Sequence, residues 1–282
     1  MINWLTIARG VLIVLVAGYA AVLVGLYFFQ RSLLYQPSGG RVAPADAGLA
    51  AAQELTIDTP DREQLIAWHL KAKPGRPTLL YFHGNGANLA NRVVRFQLLA
   101  DEGWGVFAIS YRSFSGSTGQ PTEVNNVADA LLAYDTLRKN GVEPESIIAY
   151  GESLGTGIAV QVAGQKDVAG LVLDAPYDSM AAVAQAHYPM FPVRWLIQDR
   201  YESDRHIANV RAPILIMHGE LDAVIPIAHG KALAAAAPEP KTLVTFPNGS
   251  HENLPQAGGI AAVRTWLATT VARARSDASI AN

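Results

Sequence analysis

The first pattern along the chain is an absence of pattern. From Gly10 to Phe29, GVLIVLVAGYAAVLVGLYFF carries no charged residue and no polar face, and Arg9 and Gln30-Arg31 bound it. At roughly 1.5 Å per residue, a helix of this length matches the ~30 Å hydrocarbon core of a bilayer and satisfies its own backbone amides. Trp4, Tyr27 and Tyr35 stand near its ends, where amphipathic rings favour the interface. A secretory signal has a shorter apolar region followed by a small-residue cleavage site. Here Ala17, Gly18, Ala20 and Ala21 lie in mid-run with further hydrophobics after them. The pattern predicts an uncleaved single-pass membrane anchor over residues 1–31. Arg9 and the amino terminus nearly balance Arg31 and Arg41, and the expected orientation places the N-terminus inside and the rest of the chain on the non-cytoplasmic side.

Residues 32–53 include PSGGRVAPADAGLAA, rich in Pro, Gly and Ala with little periodicity, and read as a linker. From Glu54 the pattern becomes regular. ELTIDT and QLIAWHL alternate like the strands of a hairpin around Pro60-Asp61-Arg62, and after them strand-like and helix-like runs take turns. Strands are expected at Leu79–Phe82, Val106–Ser110, Ile147–Tyr150, Gly170–Leu173, Ile214–Met217 and Thr242–Phe246. Helices are expected at about Leu89–Glu102, Val124–Asn140, Leu154–Gln165, Ile227–Ala236 and Gln256–Ala274. Most of these strands are short apolar runs without alternation, as helices on both faces of a mostly parallel sheet require. One α/β domain over 54–275 follows, with a tail at 276–282. Residues 181–206 break the rhythm with Pro189 and Pro192 among large apolar residues, and read as a cap-like insertion.

Composition narrows the partners. With 50% hydrophobic and 16% charged residues the chain is expected to fold, and a net charge of −2 leaves no surplus for holding nucleic acid. The absence of cysteine excludes disulfides, thiolate zinc sites and a cysteine nucleophile.

The strand run IIAY leads straight into Gly151-Glu152-Ser153-Leu154-Gly155, and TGIAVQVA follows as a helix. This is G-x-S-x-G between a strand and a helix, where a sharp turn lifts a serine hydroxyl above the sheet and the helix start supplies free amides. A dinucleotide fingerprint over Gly155, Gly157 and Asp174 is misplaced, because its glycines already lie on the helix and Val160 fills the third small position. A phosphate-binding loop fails because Gly157 is followed by Ile158-Ala159.

A serine hydroxyl needs a base, and the base needs an orienting carboxylate. His251, in PNGSHENL after the last strand, is the candidate base. Asp222, in HGELDAVIP after strand ILIM, is the candidate acid, with Glu220 and Asp174 as rivals. His83-Gly84-Asn85-Gly86 follows strand LLYF as a turn whose Asn85 amide would pair with that of Leu154 as an oxyanion hole. Tyr111 and Arg112 at a strand end, and Tyr188 and Trp195 in the insertion, are candidate substrate contacts.

Together HGNG, GESLG, HGELDAVIP and GSHENL resemble the α/β-hydrolase superfamily in content and order, over Glu54 to Thr269. FFQRSLLYQPS and SYRSFSGSTGQPTE look most like its membrane-anchored single-domain branch, similar to serine aminopeptidase-like and acyl-thioesterase-like members. The resemblance implies an α/β-hydrolase fold, catalytic Ser153, Asp222 and His251, oxyanion amides at Asn85 and Leu154, and neither cofactor nor metal. Relatives commonly carry glycine at the positions of Ser113 and Ser115. The expected activity is hydrolysis of an ester or thioester of a small or lipid-like acyl substrate. An amide or peptide hydrolase, and a membrane-tethered binding protein without catalysis, are the alternatives.

Overall fold

The computed structural model describes residues 3–86 and 88–272, so the tail expected at 276–282 and the end of the last predicted helix lie outside the described residues. Helix α1 (Trp4–Leu34) comes first. Its N-cap is Asn3, whose side chain accepts from the Leu5 amide, and it has no buried residue. It is long and apolar enough to cross a membrane. The hairpin β1 (Gln53–Asp58) and β2 (Gln64–Leu70) follows, then β3 (Thr78–Phe82), α2 (Val93–Asp101), β4 (Gly105–Ile109), α3 (Glu123–Lys139), β5 (Ile147–Glu152), α4 (Leu154–Ala163) and β6 (Gly170–Asp174). Short helices α5 (Met180–His187), α6 (Val193–Leu196) and α7 (Ser203–His206) occupy the insertion. They precede β7 (Ile214–Gly219), α8 (Ile227–Ala236), β8 (Lys241–Phe246) and α9 (Ile260–Trp266).

The eight strands form one sheet in the order β1-β2-β4-β3-β5-β6-β7-β8. β1 and β2 pair antiparallel, β2 pairs antiparallel with β4, and every later pairing is parallel. Side chains alternate across the sheet, so each apolar strand feeds two cores. Leu80, Phe82, Leu171, Leu173, Ile214 and Ile216 meet α3, α4 and α8 through Ala133, Ile158 and Leu233. Leu79, Tyr81, Val172, Leu215 and Met217 meet α2 and α9 through Phe96, Leu99 and Trp266. Each fully buried Leu, Ile or Phe contributes about 1.5–3 kcal/mol of transfer free energy, which is why an uninterrupted apolar strand sits in the middle of the sheet.

Three local expectations differ from what is found. The start of the helix expected at Leu89 is a 3-10 turn, Leu89–Arg92, capped by Asn88. The last helix is interrupted near its start, where Gly258 takes φ 116° inside the π-helical turn Pro255–Gly259. The stretch 32–53 is no free linker: its first residues complete α1, and Tyr35 and Leu49 are buried in the two cores. Ser113 and Ser115 adopt φ 68° and 50°, in the left-handed region that favours glycine. Ser113 Oγ donates to the Gly119 carbonyl at 2.7 Å, and Ser115 Oγ accepts from the Leu89 amide at 3.1 Å, so both hydroxyls bridge to neighbouring turns.

The parallel register aligns the carboxyl ends of the central strands. Phe82 faces Gly151, Glu152 faces Asp174, and Asp174 faces Met217. The loops after β3, β5, β6 and β7 therefore emerge at one rim.

Candidate active site

Ser153 sits between β5 and α4 with φ 50° and ψ −116°, a conformation that a side chain adopts only when its surroundings enforce it. The enforcement comes from the flanking glycines. A Cβ on Gly155 would lie 2.0 Å from the Phe82 carbonyl oxygen, and one on Gly151 would lie 2.5 Å from Thr156 Cα. The Ser153 amide donates to the Asp174 carbonyl at 2.8 Å, which holds the turn against β6.

His251 reaches the same rim because its loop crosses the end of β7. The Leu221 amide donates to the Gly249 carbonyl at 2.9 Å, and a Cβ on Gly219 would lie 2.4 Å from that oxygen. The imidazole Nε2 lies 2.9 Å from Ser153 Oγ and its Nδ1 lies 2.8 Å from Asp222 Oδ2. Asp222 Oδ1 accepts from the amides of Val224 and Ile225 at 2.9 and 2.8 Å, leaving Oδ2 for the imidazole. Burial works against ionising Asp222, but bonds from His218 and His251, the His251 charge and the Ile225 amide hold its carboxyl well below the usual range. For His251 burial disfavours the charged form, and the bond and charge of Asp222 outweigh it, so the imidazole titrates above its ordinary 6.5. Of the rival acids, Asp174 accepts from the Tyr150 hydroxyl at 2.9 Å and pairs with Arg95, while Glu220 accepts from Thr245 at 2.9 Å.

The turn after β3 lies against Ser153: a Cβ on Gly84 would come 3.3 Å from Ser153 Cβ. Its carbonyls are drawn elsewhere. The Tyr111 hydroxyl donates to the His83 carbonyl at 2.6 Å, and Arg92 donates to those of Gly84 and Gly86 at 3.3 and 3.1 Å. With the carbonyls engaged, the peptide units of the turn offer their amides. Leu154 opens α4, and its amide is one of the helix's initial donors without an intrahelical partner. His83 is buried and stacked on Tyr111 at 4.0 Å, with Nδ1 2.7 Å from the Gly84 carbonyl. Burial and the nearby Arg92 charge lower its pKa to about 3, so it stays neutral.

Two of the expected substrate contacts are corrected. Tyr111 is fully buried with its hydroxyl spent on His83, and Arg112 is held by Asp129 at 2.8 Å and by Asp61 at 2.6 Å. A third, Trp195, is 89% exposed and does not line the cavity that Tyr188 helps to line.

The sequence reading missed a buried charged cluster beneath the serine. Glu152 lies 3.5 Å from Arg92 and 3.9 Å from Arg95 and accepts from the Tyr81 hydroxyl. Burial alone would raise its carboxyl, but Arg95, Arg92 and Tyr81 bring it down to about 2. It also missed His218, whose Nε2 lies 2.8 Å from the Ile225 carbonyl and 3.5 Å from Asp222 Oδ2. Only the x of G-x-S-x-G marks Glu152 in sequence, and His218 shows only as a histidine ending a strand. Among the described residues no group of three or more His, Asp or Glu side chains is arranged to hold a metal ion.

A family model described as the α/β hydrolase fold matches residues 77–206. An uncharacterized protein of Mycobacterium tuberculosis is 35% identical over 257 residues, covering 89% of this chain and 92% of its own. Among solved structures, an esterase of Pyrococcus furiosus superposes with a TM-score of 0.63 at 17% identity, covering 83% of this chain and 97% of its own. Est1E of Butyrivibrio proteoclasticus, with ferulic acid bound, superposes with a TM-score of 0.64 at 18% identity, covering 77% and 99%. At these identities the structural likeness speaks for the fold.

Proposed function

Because the chain belongs to the α/β-hydrolase family, we propose that it is a membrane-tethered serine hydrolase that cleaves a carboxylic ester or thioester through an acyl-enzyme on Ser153. The observation that carries the proposal is the continuous path Ser153 Oγ to His251 Nε2 at 2.9 Å and His251 Nδ1 to Asp222 Oδ2 at 2.8 Å. In this reading His251 takes the Ser153 proton as Oγ attacks the carbonyl carbon, and the amides of Asn85 and Leu154 bind the resulting oxyanion. Collapse breaks the bond to the alcohol or thiol, which leaves with the proton from His251. Water then loses a proton to His251 and attacks the acyl-enzyme; the second collapse returns the proton to Ser153 and frees the carboxylate.

The direct test is covalent. A fluorophosphonate should label the full chain once, at Ser153, and labelling at another serine would count against the assignment. The pH profile tests the base. His251 must be neutral to accept a proton, and its pKa stands above 6.5. kcat/KM for p-nitrophenyl acetate is therefore expected to be at its plateau above that pKa and to fall about tenfold per pH unit below it. An acidic limb centred below 6.5 would contradict the pairing of His251 with Asp222.

A further inference from the structure

Between the last turns of α1 and helices α5 and α6 lies a cavity of about 460 Å³, within the range of roughly 300–1,000 Å³ usual for small-molecule sites. Leu26, Leu33 and Leu34 form its α1 wall, and Met180, Val183 and Phe191 form much of the opposite wall. Its main polar groups are engaged around the rim. Arg31 donates to Asp199 at 3.0 Å, while Gln30 donates to the Leu196 carbonyl at 3.1 Å and accepts from the Gln198 amide at 2.7 Å. What remains to face the space is mostly hydrocarbon.

Hydrogen bonds tie the lining of the cavity to the surroundings of the reaction site at two points. Asn85 Nδ2 donates to the carbonyl of Leu34 at 2.5 Å, so one wall is tied to the turn beside Ser153. His187, which lines the opposite side, bonds through Nε2 to the Val224 carbonyl at 2.8 Å, and the Val224 amide donates to Asp222. A third observation concerns depth along α1. Contact with the insertion reaches as far back as Tyr19, whose hydroxyl donates to the Met190 carbonyl at 2.8 Å and whose ring stacks on Phe191 at 6.0 Å. Tyr19 lies inside the uncharged run, and Met190 and Trp195 are exposed nearby at 64% and 89%. The insertion thus runs alongside the apolar part of the helix.

We propose that this cavity holds the long acyl chain of a membrane-resident ester or thioester, which enters sideways from the bilayer along α1 and presents its carbonyl to Ser153. The proposal rests on the reading of Ser153 as nucleophile. It makes α1 a wall of the substrate site as well as a tether. An apolar chain suits the lining because a polar or charged group there would lose hydration with few partners to replace it. Each methylene buried, at about 0.8 kcal/mol, should raise kcat/KM about fourfold until the space is filled.

The test uses the full chain in phosphatidylcholine vesicles, with p-nitrophenyl acetate and p-nitrophenyl dodecanoate as substrates. Leu26→Trp and Ala184→Trp fill the cavity from opposite walls. Each is expected to lower the ratio of kcat/KM for dodecanoate to that for acetate by about tenfold or more. Independently of turnover, hexadecanoic acid carrying a mid-chain diazirine should photolabel wild-type peptides within residues 26–34 or 180–191. Turnover with an unchanged ratio in both variants, or adducts confined to peptides outside these segments, would overturn the acyl site. A wild-type chain that hydrolyses neither ester would instead overturn the nucleophile reading, and the photolabel would still decide the cavity.

Discussion

Replacing Ser153 by alanine is expected to lower kcat for p-nitrophenyl acetate by about 10⁶-fold, about 8 kcal/mol of transition-state stabilisation. The size follows from what remains. Without Oγ no acyl-enzyme can form, and His251 and Asp222 have no nucleophile to activate, so they act as a unit that fails as a unit. The turn at His83–Gly86 and the start of α4 stay in place, and a residual rate above that of water is expected from their amides. The variant should fold, because the strained turn is imposed by the contacts of Gly151 and Gly155 and not by the serine side chain, which is partly exposed. Alanine at this positive φ keeps the backbone strain that serine already carries there. Steady-state assay of purified variant and wild type, with circular dichroism to confirm the fold, decides the matter; an unchanged rate would end the assignment of Ser153.

Asp222→Asn is expected to cost about 10⁴-fold in kcat with little change in structure. The reasoning depends on which oxygen is already committed. Oδ1 accepts two backbone amides, from Val224 and Ile225, so the carbonyl oxygen of an asparagine would take that position and its NH₂ would replace Oδ2. The NH₂ then faces His251 Nδ1 at the distance of a hydrogen bond, 2.8 Å in the wild type. Nδ1 must become the acceptor, the ring proton moves to Nε2, and Nε2 can no longer take a proton from Ser153. The loss of rate is a loss of tautomer. The same variant should lower the His251 pKa, because the bond and charge that raise it are removed. A rate within tenfold of wild type would show that the imidazole is oriented by something other than Asp222.

Much of the fold was legible because burial leaves a direct trace in composition. Strands covered on both faces must be apolar throughout, and LLYF, IIAY and ILIM are read as parallel strands for that reason alone. The helix α1 is legible on the same ground, since twenty positions without a charge leave little else for a chain to do. The turn at Ser153 is legible because two glycines flank it at fixed spacing and close backbone approach tolerates no other residue there. The roles of Tyr111 and Arg112 were not legible. A tyrosine and an arginine at a strand end look the same in sequence whether they meet a substrate or each find a structural partner. Arg112 finds its partners at Asp61 and Asp129, far away along the chain. The break at Gly258 was hidden because apolar periodicity continues through it.

The local pattern by itself determined the alternation of strands and helices, the apolar helix at the start and the four motifs, since each depends on residues a few positions apart and on the free energy of burying their side chains. Only the tertiary structure decided which carboxylate stands behind His251, how Arg92 and Tyr111 draw carbonyls away from Ser153, and that α1 leans on the insertion to enclose a cavity. Those contacts join residues from 8 to 171 positions apart. Their partners are chosen by strand register and helix packing, which a sequence sets only collectively and never writes beside the residues concerned.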